Sequence, residues 1–381
     1  MLQKIRELLK KELMLTAAVA AAVAALFITP PSKALLNDID WRTLGTLFMM
    51  LLVLEGFKKE NIFRPVLKLA GNMSTICALS FFLIFAVFFS SMFVTNDVSL
   101  IIFVPLTIIL FRMGNKEKYI LPVISMENIA AVRGSLLTPF GSPQNLFLYG
   151  RSGSTAWNFM LHMSPLWIFS AGLLSVFILV LYRKDRMESI DFPKDAVEGS
   201  WEADRKKQRI AYLILFALII TVIVTRTAYW YAAVVIVAVS MLFLDRELFR
   251  RVDYVLLLTF FCFFVFSSSI AANPGISAFL KKSVAGNEYW WSILLSQVIS
   301  NVPASIVLWP FTTNLTALLY GLDTAGLVSI IGSLASVINY RIYVREYPGN
   351  GLKFLKYFTL ISLAFFAVVV IPQYFLSAWP F

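Results

Sequence analysis

The chain has 381 residues, of which 59% are hydrophobic and only 14% charged, with a mean hydropathy of +0.78. Soluble domains carry about 25% charged residues, and one aqueous core cannot hide this much apolar surface. A soluble globular protein is excluded, and the composition is that of an integral membrane protein. The net charge of +11 does not point to nucleic acid, because the basic residues sit in short loops between apolar runs, as cytoplasmic loops do. Cys77 and Cys262 both lie inside apolar segments, so buried packing is expected of them and a disulfide framework is not. A single histidine, His162, excludes multi-histidine metal sites.

In chain order, residues 1–12 form a basic amphipathic start, and Leu13–Thr29 is an apolar run long enough to span. The following Pro30-Pro31-Ser32-Lys33 is a poor cleavage site, so a retained helix is expected and not a signal peptide. With about 20 residues per crossing, spans are expected at 13–29, 41–57, 119–150, 160–182, 210–226, 229–245, 254–271, 324–345 and 353–378. Two of them, 119–150 and 324–345, are interrupted. The stretches 73–113 and 290–319 each read as two apolar arms around a polar tip. As re-entrant hairpins they leave nine crossings, with the N-terminus cytoplasmic and the C-terminus outside. This arrangement puts twenty-six of the 33 basic residues inside and six outside, namely Lys33, Arg42, Arg151, Arg226, Lys281 and Lys282, with Arg133 alone within the membrane. Making either hairpin a full crossing inverts everything downstream and spoils that bias. The loop 183–209 mixes seven acids with eight bases and reads as a cytoplasmic linker between a first transmembrane repeat, 1–182, and a second, 210–381.

The two halves correspond. Ile39-Asp40-Trp41 and Val252-Asp253-Tyr254 each open a helix, with the aspartates expected as caps. The tip Thr95-Asn96-Asp97 precedes Pro105, and the tip Ser300-Asn301-Val302 precedes Pro310, with nine residues from asparagine to proline in both. Downstream, Thr138-Pro139-Phe140-Gly141-Ser142-Pro143-Gln144-Asn145 is set against Gly332-Ser333-Leu334-Ala335-Ser336-Val337-Ile338-Asn339, which puts the breaks near 138–145 and 333–339. Because Asp40 starts its helix outside and Asp253 starts its helix inside, the repeats are expected to be inverted. The fold expected is therefore an all-α polytopic membrane protein of two inverted-topology repeats. Each repeat carries a re-entrant hairpin and a broken transmembrane helix, a plan that recurs in transporters with the substrate held where the interruptions meet.

The chemistry follows from the interruptions. Non-helical backbone survives in hydrocarbon only around a polar cavity, helix N-termini favour anions, and freed carbonyls can ligate a cation. The expected binding residues are Thr95, Asn96, Asp97, Arg133, Thr138, Gly141, Ser142, Asn145, Ser300, Asn301, Ser336 and Asn339. Asparagine supplies both donor and acceptor. Asp97 is placed to bind a coupling cation, and Arg133, preceded by Glu127 and Asn128, to meet an anion. Sodium, as coupling ion, is expected at Asn96, Asp97, Asn145, Asn301 and Asn339. Glu55 and His162 read as interfacial, and Trp230, Tyr231, Tyr289, Trp290, Trp291 and Trp379 as aromatic belts. No phosphate-binding GxxxxGK[ST] loop and no HExxH motif is present, which leaves neither direct ATP driving nor an enzyme.

Ile39-Asp40-Trp41, the asparagine tips with their downstream prolines, and Gly141-Ser142-Pro143-Gln144-Asn145 resemble the ion transporter superfamily over nearly the whole chain. That group includes arsenite permeases, NhaD-type sodium/proton antiporters, citrate transporters and divalent anion/sodium symporters. In the last of these, Ser-Asn-Thr tips contact carboxylate and sodium, which implicates Asn96 with Thr95 and Asn301 with Ser300. Arsenite permeases and their relatives place an acid before the tip asparagine and a Gly-Asp-Pro-Pro-Asn run later. Here Thr95 and Ser142 stand at the acid positions, Asp97 follows its asparagine and Gln144 replaces a proline. The function expected is secondary active transport of a small carboxylate or oxyanion coupled to sodium or protons, without a cofactor and without nucleic acid. A sodium/proton antiporter or arsenite-permease-like exporter is the alternative, and a channel or intramembrane enzyme the outlying one. The lipid bilayer is the expected surrounding, and the resemblance implies a homodimer.

Overall fold

The computed structural model describes residues 13–30, 33–191 and 205–379; the basic start at 1–12 and residues 192–204 of the linker lie outside the described residues. Helices dominate: α1 (Leu13–Ile28), α2 (Lys33–Asp38), α3 (Trp41–Lys59), α4 (Arg64–Ala70), α5 (Ile76–Val94), α6 (Asn96–Met113), α7 (Ile120–Gly134), α8 (Pro143–Ser152) and α9 (Ala156–Leu181) make the first half. The second half comprises α10 (Lys206–Thr225), α11 (Trp230–Asp245), α12 (Tyr254–Ala272), α13 (Pro274–Val284), α14 (Glu288–Ile299), α15 (Asn301–Leu308), α16 (Leu315–Ala325), α17 (Leu334–Glu346) and α18 (Gly351–Leu376). Among the described residues, seven helices are long and apolar enough to cross a bilayer. The protein is an all-α polytopic membrane protein. Five of the seven coincide with expected crossings; the other two are α5 and α6, of 19 and 18 residues.

Burial is arranged inside out relative to a soluble protein. Phe243, Phe375, Leu360, Ile168 and Ile214 are exposed on the outer helices, whereas Glu127, Arg133 and Asp323 are buried at the centre. Exposing so much apolar surface to water costs about 25 cal/mol per Å², and exposing it to lipid does not. Every residue of α7 is buried, and so is α16 from Thr316 to Ala325. These two interrupted helices are the axis of the molecule.

Local chemistry sets the ends. Asp40 caps α3 by accepting from Thr43 N at 2.9 Å, and Asp253 caps α12 by accepting from Leu256 N at 2.9 Å, as the sequence suggests. The chain folds back between α5 and α6 at Thr95, where φ is 72° and ψ 156°, and Ser90 Oγ donates to Ser99 Oγ across the turn at 3.0 Å. Between α14 and α15, Ser300 takes nearly the same conformation, φ 70° and ψ 158°. Such values are unfavourable for a β-branched residue, and strain of this kind gathers at functional sites.

The helix breaks also match, in a register that corrects the sequence alignment. After α7 the chain runs through residues 135–142 and restarts at Pro143; after α16 it runs through 326–333 and restarts at Leu334. Ser142 (φ −149°, ψ 154°) and Ser333 (φ −146°, ψ 138°) hold the same cap position. Ser142 therefore corresponds to Ser333, not Ser336, and Asn145 to Ser336, not Asn339. Before each cap stands a glycine in contact with the end of the preceding helix. A Cβ on Gly141 would lie 2.1 Å from Ser135 O, and one on Gly332 2.3 Å from Ala325 O. The span expected at 324–345 is likewise displaced, since its first half is α16, beginning at Leu315.

Packing between the halves is crosswise: α15 lies on α8, and α17 on α6. The linker is not wholly solvated either. Ile76 N donates to Glu188 O at 3.0 Å and Ile190 N to Ser74 O at 3.1 Å, and Ile190 is buried. Hydrogen bonds from Tyr119 to Asp185 and from Lys116 to Glu188 hold both carboxyls below the usual carboxylate range. Tyr289, expected in an aromatic belt, is buried with its hydroxyl donating to Val370 O at 2.8 Å. Cys77 and Cys262 are buried free thiols.

The two glycine contacts are with backbone that cannot swing aside. Gly141→Ala and Gly332→Ala are each expected to destabilise by about 1–3 kcal/mol, read as a lowered thermal midpoint in detergent. Gly150→Ala, whose Cβ would meet only Thr43 Oγ1 at 4.0 Å, is expected to leave the midpoint unchanged or raise it.

Candidate functional site

The two breaks meet at the centre, around Arg133 and Asp323. Arg133, at the end of α7, is fully buried. Its Nε donates to Ser170 Oγ at 2.9 Å and its Nη1 to Asp323 O at 3.4 Å, while Nη2 has no partner among the described residues. Asp323, in the last turn of α16, accepts from Gln144 Nε2 at 3.3 Å on one carboxylate oxygen and has no partner on the other. Arg133 and Asp323 attract each other without a direct ion pair. One charge comes from each half of the chain. A buried pair held this loosely is poor for stability, so its position is better explained by function.

One and a half turns earlier on α7 the halves join again. Asn128 Nδ2 donates to Ser336 Oγ at 3.0 Å, and Asn339 Nδ2 donates to Ile124 O at 2.7 Å. Both asparagines have a buried carbonyl oxygen without a partner, as do Asn145 and Gln144. Glu127 accepts from Thr107 with its second oxygen unpaired. Each such group costs about 1–3 kcal/mol if left in a dry interior. A line of them runs along the breaks.

The tips are anchored to the breaks. Thr138 Oγ1 donates to Met92 O, tying the first break to α5 just before its tip. Asn301 N donates to Gly332 O at 3.1 Å and Asn301 Nδ2 to Leu322 O at 3.5 Å, tying the second tip to the second break. Asn96 does not cap α6: Thr95 holds the cap position, and Asn96 Oδ1 accepts from the next backbone N–H, that of Asp97, at 2.9 Å. Asp97 has one buried carboxylate oxygen without a partner and feels the charges of Asp253 and Lys58. Ser142 Oγ accepts from Asn145 N at 3.3 Å, and Asn145 Nδ2 donates to Leu136 O at 3.3 Å. In none of α6, α15 and α17 does the side chain of the cap residue bond to the first turn; Asp97 N is taken by Asn96 Oδ1, Asn301 N by Gly332 O and Ser336 N by Ser333 O.

Residues 5–332 match the family described as Citrate transporter. The chain belongs to the citrate transporter family. The matched region contains both tips and both breaks as far as Gly332. Among relatives, the Inner membrane protein YbiR of Escherichia coli (strain K12) is 32% identical over 312 residues, 80% of either chain. The Uncharacterized transporter MJ0456 of Methanocaldococcus jannaschii is 30% identical over 308 residues, covering 80% of this chain and 81% of that one. Membership of the citrate transporter family and these relatives make the protein a multi-pass membrane transporter.

Thr95, Asn96, Asp97, Arg133, Thr138, Gly141, Ser142, Asn145, Ser300, Asn301, Ser336 and Asn339 all lie on the tips, the breaks or the faces against them. No hydrogen bond joins Asn96 directly to Asn301 among the described residues; the link runs through the breaks. Arg133 pairs neither with Glu127 nor with Asp97. Its partner, Asp323, is the residue that sequence reasoning missed, although an acid inside the apolar run Leu315–Ala325 is itself the signal. Glu55 lies beside Lys58, at the helix end where it was expected.

Removing one member of the Arg133–Asp323 pair leaves a buried charge without its counterpart. Arg133→Gln and Asp323→Asn are each expected to lose about 3–5 kcal/mol of stability, and the double variant to recover most of it, measured as thermal midpoints in detergent. All three are expected to be inactive in uptake. A double variant that folds and transports would make the pair purely structural.

Proposed function

We propose that the protein is a secondary active carrier for a small anion, a carboxylate or oxyanion, driven by sodium or protons through alternating access. The observation that carries this reading is Arg133, a fully buried guanidinium with an unpaired Nη2 at the junction of two broken helices. Guanidinium matches carboxylate and oxyanion geometry through paired N–H donors. The N-terminal dipole ends of α6, α15 and α17 add partial positive charge at the same breaks and tips. Citrate, the anion in the family's name, is of the same chemical class.

The coupling cation is assigned to the acceptors. Asp97, the carbonyl oxygens of Asn145 and Asn339, and the tip asparagines Asn96 and Asn301 offer the hard oxygen donors that sodium takes, and Asp97 can instead carry a proton. The reading includes two inverted repeats with re-entrant hairpins α5–α6 and α14–α15, supported by the matched tip angles and break caps. It also places the N-terminus in the cytoplasm and the C-terminus outside. Ion pairs support this sidedness. Lys59–Asp245, Arg205–Glu60, Arg112–Glu346 and Lys116–Glu188 join expected inner segments, and Arg151–Asp40 joins outer ones. An outer entrance fits the cavity of about 1120 Å³ lined by Ser154, Asn158, His162, Thr313, Tyr320 and Trp379. Tyr320 lies one turn before Asp323 on α16.

The buried acids Asp97, Glu127 and Asp323 favour the sodium/proton antiporter as second reading. Proteoliposomes separate the two. Saturable uptake of a labelled anion, from a panel of carboxylates and oxyanions, is expected to follow an imposed sodium or proton gradient. Asn96→Ala and Asn301→Ala are expected to lower it at least about tenfold, the loss of one good hydrogen bond in the transition state. Proton movement driven by sodium with no anion present would overturn the anion reading.

A further inference from the structure

Away from the breaks, three arginines converge on one small pocket. Arg42 stands in the first turn of α3, Arg151 near the end of α8, and Arg226 just beyond α10; with Asp40 and Tyr149 they line a half-enclosed cavity of about 230 Å³. They are three of the six basic residues that the charge bias assigns to the outer side. An outer surface is sparse in such residues, so their meeting in one concavity calls for a reason.

Their charge is not cancelled from within. Asp40 is the one acid lining the pocket; it already caps α3 through Thr43 N and takes Arg151 Nε at 3.1 Å on its other oxygen. Arg226 is held by neutral groups: its Nη2 donates to Tyr149 O and, at 3.0 Å, to Ser152 Oγ, and its guanidinium lies 3.9 Å from the centre of the Tyr149 ring. Its Nε is buried without a hydrogen-bond partner, and Arg226 itself is fixed with a left-handed φ of 50°. Arg42 donates no side-chain hydrogen bond among the described residues and feels both the attraction of Asp40 and the repulsion of Arg226. Three guanidiniums around one carboxylate in a concave site concentrate positive potential and hold unused donors.

We infer that Arg42, Arg151 and Arg226 form a second anion-binding site, separate from the breaks, that takes one oxyanion group of phosphate or carboxylate type. Arginine donors suit the paired oxygens of such a group. The cavity is smaller than the 300–1,000 Å³ usual for larger ligands, so it admits a group of a few heavy atoms. A free anion and the headgroup of an anionic phospholipid present the same chemistry. The site stands whether or not the carrier reading holds, because its test reads binding and needs no gradient.

The test is calorimetric titration of the purified full chain in neutral detergent at low salt. The probes are inorganic phosphate, a short-chain phosphatidylglycerol below its micelle concentration, and phosphatidylcholine of the same chain length. Saturable binding of phosphate, of phosphatidylglycerol or of both is expected, with none of phosphatidylcholine. Phosphate alone identifies a soluble anion as the occupant, and phosphatidylglycerol alone a lipid headgroup. Arg42→Gln removes no hydrogen bond from the fold and is expected to weaken binding about tenfold, one charge-assisted contact. Arg42→Lys is expected to retain part of the affinity. Asp40→Asn, which still caps α3, is expected to tighten binding several-fold. Absence of binding by both anionic probes, or affinities unchanged by Arg42→Gln and Asp40→Asn, would overturn the assignment.

Discussion

A hydrocarbon interior offers no partner to a free peptide group, and everything central to this protein depends on that constraint. α7 and α16 are buried along nearly their whole lengths, yet the chain leaves the helix after each and restarts only eight residues later. Backbone of this kind persists at depth when side chains, tips and solvent meet its demands. Here the demands are met both within and between the halves: Asn145 answers the carbonyls of its own break, Asn301 a carbonyl of α16 just before the other, and Asn128 and Asn339 stitch α7 to α17.

The same constraint explains why charge appears where it does. Arg133 and Asp323 face each other from the two halves of the chain without closing into an ion pair. A closed pair would satisfy itself, whereas this open one leaves Arg133 Nη2 and one Asp323 carboxylate oxygen without a partner among the described residues. The crosswise contacts of α15 on α8 and α17 on α6 make the surroundings of both breaks the joint property of the two halves. The alternating access proposed above requires these halves to move relative to one another.

Composition made the membrane class legible, and the asparagine-to-proline spacing picks out Asn96 and Asn301, the residues at which a new helix begins. The shared spacing has unequal consequences: α6 continues through Pro105, whereas α15 ends two residues before Pro310, which sits in a short 3-10 turn. The second break lies three residues out of register with the alignment of Asn339 on Asn145, since Ser142 and Ser333 hold the same cap position. The restart is set instead by the Gly-Ser pairs 141–142 and 332–333, where the glycine permits close approach and the serine opens the next helix. Asp323 escaped because the expected span began at residue 324, which left the acid outside the membrane on paper. The packed part of the linker was equally invisible, since its order comes from Ser74 and Ile76, more than a hundred residues earlier, and not from local periodicity.

The proposal that cargo binds between the two breaks, against Arg133, decides the carrier reading. A density map of the purified transporter saturated with a transported anion settles it. The anion is expected within hydrogen-bond distance of the Arg133 guanidinium, flanked by the first turns that follow the tips or breaks. An anion seated elsewhere, with Arg133 still confined to Ser170 and Asp323, would refute it.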